Sequence, residues 1–214
     1  MTPRQKALKA ARNQHLVINY INYLLERRGQ AFQVTDGILL ETHRLTIGDM
    51  YPCAGSYRDA HFQVTLNGRQ VPPAYTVQYS VRDLLDGINK NEAMDSTRRA
   101  AKLHYGLTAI HPFNGGNGRV ARALMALLLR RDGLPQFAVV NLLSWIKRNR
   151  QPYIDSLRTG ERNFFLYIMY GLLSVYEKVF RRPEQGDKLR AVRSLKKEVR
   201  RSMKQVVSRQ LRLF

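Results

Sequence analysis

Ile110-His111-Pro112-Phe113-Asn114-Gly115-Gly116-Asn117-Gly118-Arg119-Val120-Ala121-Arg122 is the stretch on which the fold of this chain turns. Helical spacing leads into it: after the Asp95-Ser96 cap, Ala100, Leu103, His104, Leu107 and Ile110 fall on one stripe. Helical spacing also leaves it, from about Asn117 to Arg131, until Gly133 and Pro135 end the pattern. Gly116-x-Gly118-x-x-Ala121 matches the letters of a dinucleotide fingerprint, but that motif must follow a strand and here a helix precedes it. A P-loop would need Gly-Lys-Ser/Thr, which is absent. The fold class that follows is mainly α.

Three glycines and two asparagines in five positions let the backbone turn tightly and aim several N–H groups one way. The apolar helix that begins there places those groups on the positive end of its dipole. Arg119 and Arg122 are three apart and share a face of that helix. Amides, dipole and two guanidinium forks describe a pocket for a di- or triphosphate. His111 precedes Pro112, which drives it out of the helix and toward extended backbone, with its imidazole at the lip of the pocket. A histidine there can take a proton from an attacking hydroxyl. His104 lies inside the apolar stripe two turns back and reads as a core residue. A purely structural turn would explain the glycines, but neither the arginines nor the exposed histidine.

Upstream, Leu8, Ala11, Leu16, Ile18, Ile21, Leu24 and Leu25 predict an amphipathic helix over 3–28, ended by Gly29. Thr35 and Asp36 cap a second helix carrying Leu39, Leu40, His43 and Ile47, with Gly48 as its stop. His61 to Leu66, Asn67-Gly68 and Arg69 to Val71 read as a β-hairpin, closed by Pro72-Pro73. Helical spacing resumes from about Ala74 to Ile88. Downstream, helical segments are expected roughly over 142–150, 152–157 and 163–180. After Pro183 and Gly186, the residues Leu189, Val192, Leu195, Val199, Met203, Val206 and Leu213 again keep helical spacing.

The 214 residues are 44% hydrophobic, which is enough for a core and excludes wholesale disorder. The longest apolar run, Ala123 to Leu129, is far too short to span a bilayer, and the N-terminus does not read as a signal peptide. The single cysteine, Cys53, excludes an intramolecular disulfide and a cysteine-rich zinc site, and makes the cytoplasm the expected location. Net charge is +20; residues 181–214 hold twelve basic and three acidic side chains, a surplus of nine. That surplus suits nucleic acid, anionic lipid or another polyanion, or else a solvated helix face. The expected organisation is one domain over 1–182 and a basic helical tail over 183–214.

The run from His111 to Arg122 resembles the signature of the Fic family, His-Pro-Phe-x-(Asp/Glu)-Gly-Asn-Gly-Arg-x-x-Arg. Leu40-Glu41-Thr42-His43-Arg44 and Ala54-Gly55-Ser56-Tyr57-Arg58 resemble its lead-in, the hairpin its flap, and Ala100 to Tyr105 the helix entering the motif, so the resemblance covers about 35–160. It implies a helical bundle with a small β-hairpin flap that transfers AMP from ATP to a Ser, Thr or Tyr hydroxyl of another protein. Carried over by position, His111 is the base, Gly116, Asn117 and Gly118 line the anion hole, and Arg119 and Arg122 hold the outer phosphates. Tyr153 would border the base pocket, and the flap residues Gln63, Val64 and Thr65 would pair with the target backbone. The family pattern has an acid for Mg²⁺ at position 115; this chain has Gly115, which offers a hard cation no oxygen and counts against Mg²⁺. Weak or atypical transfer is then expected, with a degenerate, nucleotide-binding scaffold as the alternative. Ser194-x-x-x-Glu198 resembles an inhibitory helix of some relatives, although Val199 departs from that pattern. The resemblance also allows an antitoxin-like inhibitor, and delivery into a host cell as an effector or toxin.

Overall fold

The computed structural model describes residues 2–29, 32–48, 50–59, 65–66, 69–90, 93–181 and 183–211. They form two compact units, one up to Gly133 and one from Leu134 onward. The first holds α1 (Pro3–Arg28), α2 (Asp36–Ile47), β1 (Thr65–Leu66), β2 (Arg69–Gln70), α3 (Val77–Asn89), α4 (Ser96–Ile110) and α5 (Asn117–Arg131). The second holds α6 (Gln136–Arg148), α7 (Arg150–Arg158), α8 (Glu161–Val179) and α9 (Gly186–Leu211).

In the first unit α5 is the axis, packed against α4, α2 and α1. Its apolar run explains this: Leu124, Met125, Leu127, Leu128 and Leu129 are all fully buried, and a run apolar on every side must be enclosed. The opening caps form as their residues dictate. Thr35 accepts from the Ile38 N–H, and Asp95 accepts from the Arg98 N–H at 2.9 Å. Asn89 brackets Val34 through both its N–H and its C=O, tying the end of α3 to the entry of α2. At the far end of α5, Asp132 joins the half-buried Arg99 at 2.9 Å and the buried Arg131 at 2.7 Å. Arg131 also donates to the Phe32 carbonyl at 3.0 Å, so its charge is paired and its donors are used.

Three boundaries differ from expectation. The segment from Ala74 opens as a 3₁₀ turn over Ala74–Thr76 before α3 begins at Val77. The helix expected near 142 starts at Gln136, because Pro135, in extended backbone, suits the position before a first helical turn. Pro152 sits inside the first turn of α7, where its missing N–H has no intrahelical partner to lose. The extended pair is antiparallel, with Thr65 opposite Gln70 and Leu66 opposite Arg69. Gln63, Val64 and the Asn67-Gly68 turn lie outside the described residues.

In the second unit α8 is the centre, with α6, α7 and α9 packed on it. Trp145, Tyr153, Phe164 and Tyr167 form an aromatic cluster, Trp145 and Tyr167 having ring centroids 4.7 Å apart. Glu177 on α8 pairs with Lys196 of α9 at 2.6 Å and with Arg193 at 3.2 Å, and Lys196 lies over the Tyr170 ring. The helices α6 and α8 approach closely at Gly171, where a Cβ would stand 2.7 Å from Trp145 Cε3 and 2.8 Å from Leu142 Cδ1. Gly171→Ala gains roughly 1 kcal/mol in helix propensity, but overpacking against an indole costs about 1–3 kcal/mol. Urea denaturation is expected to show a net loss of stability for this variant rather than a gain.

Candidate active site

The helix α4 ends at His111, whose N–H still bonds to the Leu107 carbonyl at 3.0 Å. Its backbone then turns into the left-handed region, φ 53° and ψ 58°, and among the described residues it is the non-glycine residue with positive φ. The extended geometry expected from Pro112 is not what forms. The chain leaves the helix, as expected, but by a left-handed step that reverses it toward α5. Such a conformation costs a non-glycine residue on the order of 1–3 kcal/mol and persists only when its surroundings enforce it.

Arg58 supplies the enforcement. Its Nε donates to the His111 carbonyl at 2.8 Å, its backbone N–H donates to the Pro112 carbonyl at 2.9 Å, and its Nη2 donates to the Pro72 carbonyl. Arg58 is buried, so these carbonyls stand in for the water its charge has lost. Phe113 is sandwiched between rings: His43 stacks at 3.7 Å with planes 8° apart, and Tyr57 lies 5.7 Å away on a nearly parallel plane. The Tyr57 hydroxyl donates to Asp36, and burial pushes that phenol above its ordinary range. Asn117 closes the loop from the other end, its Nδ2 donating to the Phe113 carbonyl at 2.7 Å and its Oδ1 accepting from the Phe113 N–H at 3.0 Å. His43 Nδ1 accepts from the Gly55 N–H at 3.0 Å, and its Nε2 reaches the Gly115 carbonyl at 3.1 Å.

The turn opens into α5 at Gly116, which caps the helix with φ 81°. A side chain there would be strained and would also meet Ile47 Cγ2 at 2.9 Å, so glycine is required twice over. The Arg119 and Val120 N–H groups both return to the Gly116 carbonyl, at 2.8 and 3.0 Å. The amides before them, of Gly116, Asn117 and Gly118, are the donors a helix start leaves for an anion. Arg122 reaches back over this end: a Cβ on Gly118 would lie 3.3 Å from its Nη1. Arg119 Nη1 lies 3.5 Å from the Thr46 carbonyl, and the two guanidinium groups are close enough for Arg122 to oppose the charge on Arg119.

The His111 ring is half-buried, with Nδ1 enclosed, which leaves Nε2 as the nitrogen able to meet a substrate. Burial and the Arg58 charge hold the imidazole below its ordinary value of 6.5, while the Thr108 carbonyl pulls the other way. It is therefore neutral near pH 7, as a base must be. His43 is depressed to about 4 by burial and by Arg119, against the opposing bond to Gly115. His104 is fully enclosed and falls to about 3 through burial and the nearby Arg122, which makes it the core residue the stripe implied.

Thus His111, Gly116, Asn117, Gly118, Arg119 and Arg122 come together in the first unit. Tyr153 is buried in the aromatic cluster of the second unit, and Ser194 and Glu198 are exposed on α9, one turn apart. Thr65 lies in β1, while Gln63 and Val64 are outside the described residues. A side chain at Gly115 would meet nothing within 4 Å, so the position could admit an acid that it lacks. Among the described residues no group of three or more His, Cys, Asp or Glu could hold a metal ion. Position 115 itself offers a hard cation no side-chain oxygen. Arg58, His43 and Tyr57 were missed as site residues. Their letters stood in the lead-in segments, but spacing alone put His43 on an apolar stripe and Arg58 in a loop.

An imidazole beside a helix N-terminus with two flanking cations is an arrangement suited to an anion. Residues 33–129 match the family model described as Fic/DOC family, and the chain carries a Fic/DOC domain. It is 37% identical over 117 residues to "Protein adenylyltransferase fic-1" of Caenorhabditis briggsae, covering 52% of this chain and 22% of that one. It is 33% identical over 147 residues to "Protein adenylyltransferase Fic" of Culex quinquefasciatus, covering 67% and 27%. The chain therefore spans about a quarter of the length of these relatives. Its fold resembles the crystal structure of a Fic family protein from Desulfovibrio desulfuricans G20, with TM-score 0.67 and 25% identity over 84% of this chain and 55% of that one. It also resembles Fic-1 (aa134 - 508) from C. elegans, with TM-score 0.58 and 26% identity over 80% and 50%. No described helix is long and apolar enough to cross a membrane.

Two pH effects follow. Arg58→Met removes the charge that holds His111 down, so the His111 midpoint measured by NMR titration is expected to rise; an unmoved midpoint would show that this charge is not felt. His43 and His104 stay neutral when folded but take protons at about 6.5 when unfolded. The unfolded chain then binds more protons below that value. Stability is complete above pH 6.5 and falls as pH drops toward 4, by about 1.4 kcal/mol per pH unit for each histidine. Urea titrations at several pH values check the slope, which His104→Leu is expected to lower by one proton.

Proposed function

We propose that this chain transfers AMP from ATP to a hydroxyl group of a protein. The observation that carries the reading is His111, held in a left-handed step by Arg58, at the head of a helix start flanked by Arg119 and Arg122. The names of the adenylyltransferase relatives support it. In the reaction, the amides at 116–118 and the two guanidinium groups grip the polyphosphate of ATP as substrate. The target hydroxyl oxygen attacks the α-phosphorus while His111 Nε2 takes its proton. An oxygen–phosphorus bond forms to the target, the bond from the α-phosphorus to the bridging oxygen breaks, and pyrophosphate leaves with that electron pair. Arg119 and Arg122 offset the charge that develops on it. The extended pair of β1 and β2 is proposed to carry the target.

Gly115 supplies no metal ligand, so no step is assigned to Mg²⁺. A second reading is favoured by this residue alone: a scaffold that binds nucleotide and a partner without turnover. Incubation with α-labelled ATP and a lysate is expected to place label on protein, with a loss of about 10²–10⁴-fold in His111→Ala. Gly115→Asp restores an acid in open space and is expected to raise transfer by about tenfold or more with Mg²⁺ present. Label seen only in the Asp variant would establish the scaffold reading for the native chain; ATP binding with no label in either variant would sink the transferase reading.

A further inference from the structure

We infer that His43 is a positioning residue for phosphate binding: by holding the Gly115 carbonyl it aims the Gly116 N–H into the anion site. This rests on the phosphate-binding reading of the turn, and it adds a residue from α2 that lies outside the motif.

The tautomer is set by geometry. Nδ1 accepts from the Gly55 N–H at 3.0 Å, so it carries no proton. The proton is on Nε2, which donates to the Gly115 carbonyl at 3.1 Å. The ring cannot turn away from these partners, because it is fully buried and stacks on Phe113 at 3.7 Å with planes 8° apart. Such support of one hydrogen bond by another is how an imidazole is made into a fixed donor.

The bond acts through the peptide plane. The Gly115 carbonyl and the Gly116 N–H belong to one peptide group, and in a planar trans peptide they point in opposite directions. Drawing the carbonyl toward His43 therefore turns the amide to the opposite side. Two consecutive glycines give this peptide unusual freedom to flip. Gly115 is open on the side a Cβ would take, so neither neighbour nor side chain restrains it there. From Gly116 onward the helix orders its own amides, while Phe113 is held by Asn117 and Pro112 by Arg58. The peptide between Gly115 and Gly116 is the joint these clamps leave to His43. Donors aimed in advance avoid reorganisation when the charge arrives, which is where a positioned amide contributes most.

The test uses the full chain with ATP as the probe. His43→Phe keeps an aromatic ring on Phe113 but removes both hydrogen bonds. His43→Gln keeps an N–H that reaches the Nε2 position. Calorimetry is expected to show about a tenfold loss of ATP affinity for the Phe variant, with the Gln variant within about threefold of the native chain. Equal loss in both variants, or none in the Phe variant, would overturn the inference while leaving native ATP binding and the phosphate reading intact. A native chain without ATP affinity would overturn both. Should the Phe variant fail to fold, the native protein decides. Nitrogen shifts are expected to show the Nε2–H form of His43, and the glycine amide at 116 to shift on adding ATP. The other tautomer, or an unmoved amide, would overturn the inference.

Discussion

The hydrogen bond from Arg58 to the His111 carbonyl is the constraint around which the rest of the site is arranged. It holds a histidine in a backbone region that histidines seldom occupy, at the one place where α4 must end and α5 must begin in the opposite direction. The same guanidinium reaches the carbonyl of Pro72, just past β2, so the end of the extended pair and the head of the motif share one cation. Its charge also favours a neutral imidazole. A single buried arginine thus links backbone geometry to protonation state, and each effect depends on its being shielded from water.

Around that clamp the motif is built in short spans, each tied to a different element. Arg58 holds 111 and 112, Asn117 holds 113, and His43 holds 115. The stack of His43, Phe113 and Tyr57 fills the space beneath the turn, so a loop dense in glycine is given a rigid floor. Glycine is needed at 116 because of its positive φ and the closeness of Ile47. At 115 no such need exists, which is why that position stands out: it is open, unstrained, and lacks the carboxylate that the family pattern would place there. A loop so firmly held is compatible with a helix start that offers three amides to an anion, since fixed donors lose little entropy on binding.

The order of helices, the apolar character of α5, the caps at Thr35 and Asp95, and the glycine turn between two helices were legible in the residues themselves. They depend on local periodicity and on capping chemistry, which act within a few positions along the chain. The family resemblance was legible for the same reason, since its residues are contiguous. Of the hairpin read over 61–71, the described part is Thr65–Leu66 paired with Arg69–Gln70.

By itself the amino-acid sequence determined a helical protein with one histidine at the head of a cationic helix start, because spacing and residue type are enough for that. Only the tertiary structure decided that His111 takes a left-handed turn instead of the extended one favoured before proline, that Arg58 and His43 are the groups holding the loop, and that the buried Arg131 is bound to the Phe32 carbonyl. Each of these is a contact between residues far apart in the chain. Their energies come from burial and from hydrogen bonds made in the absence of water, and local propensity carries no record of either.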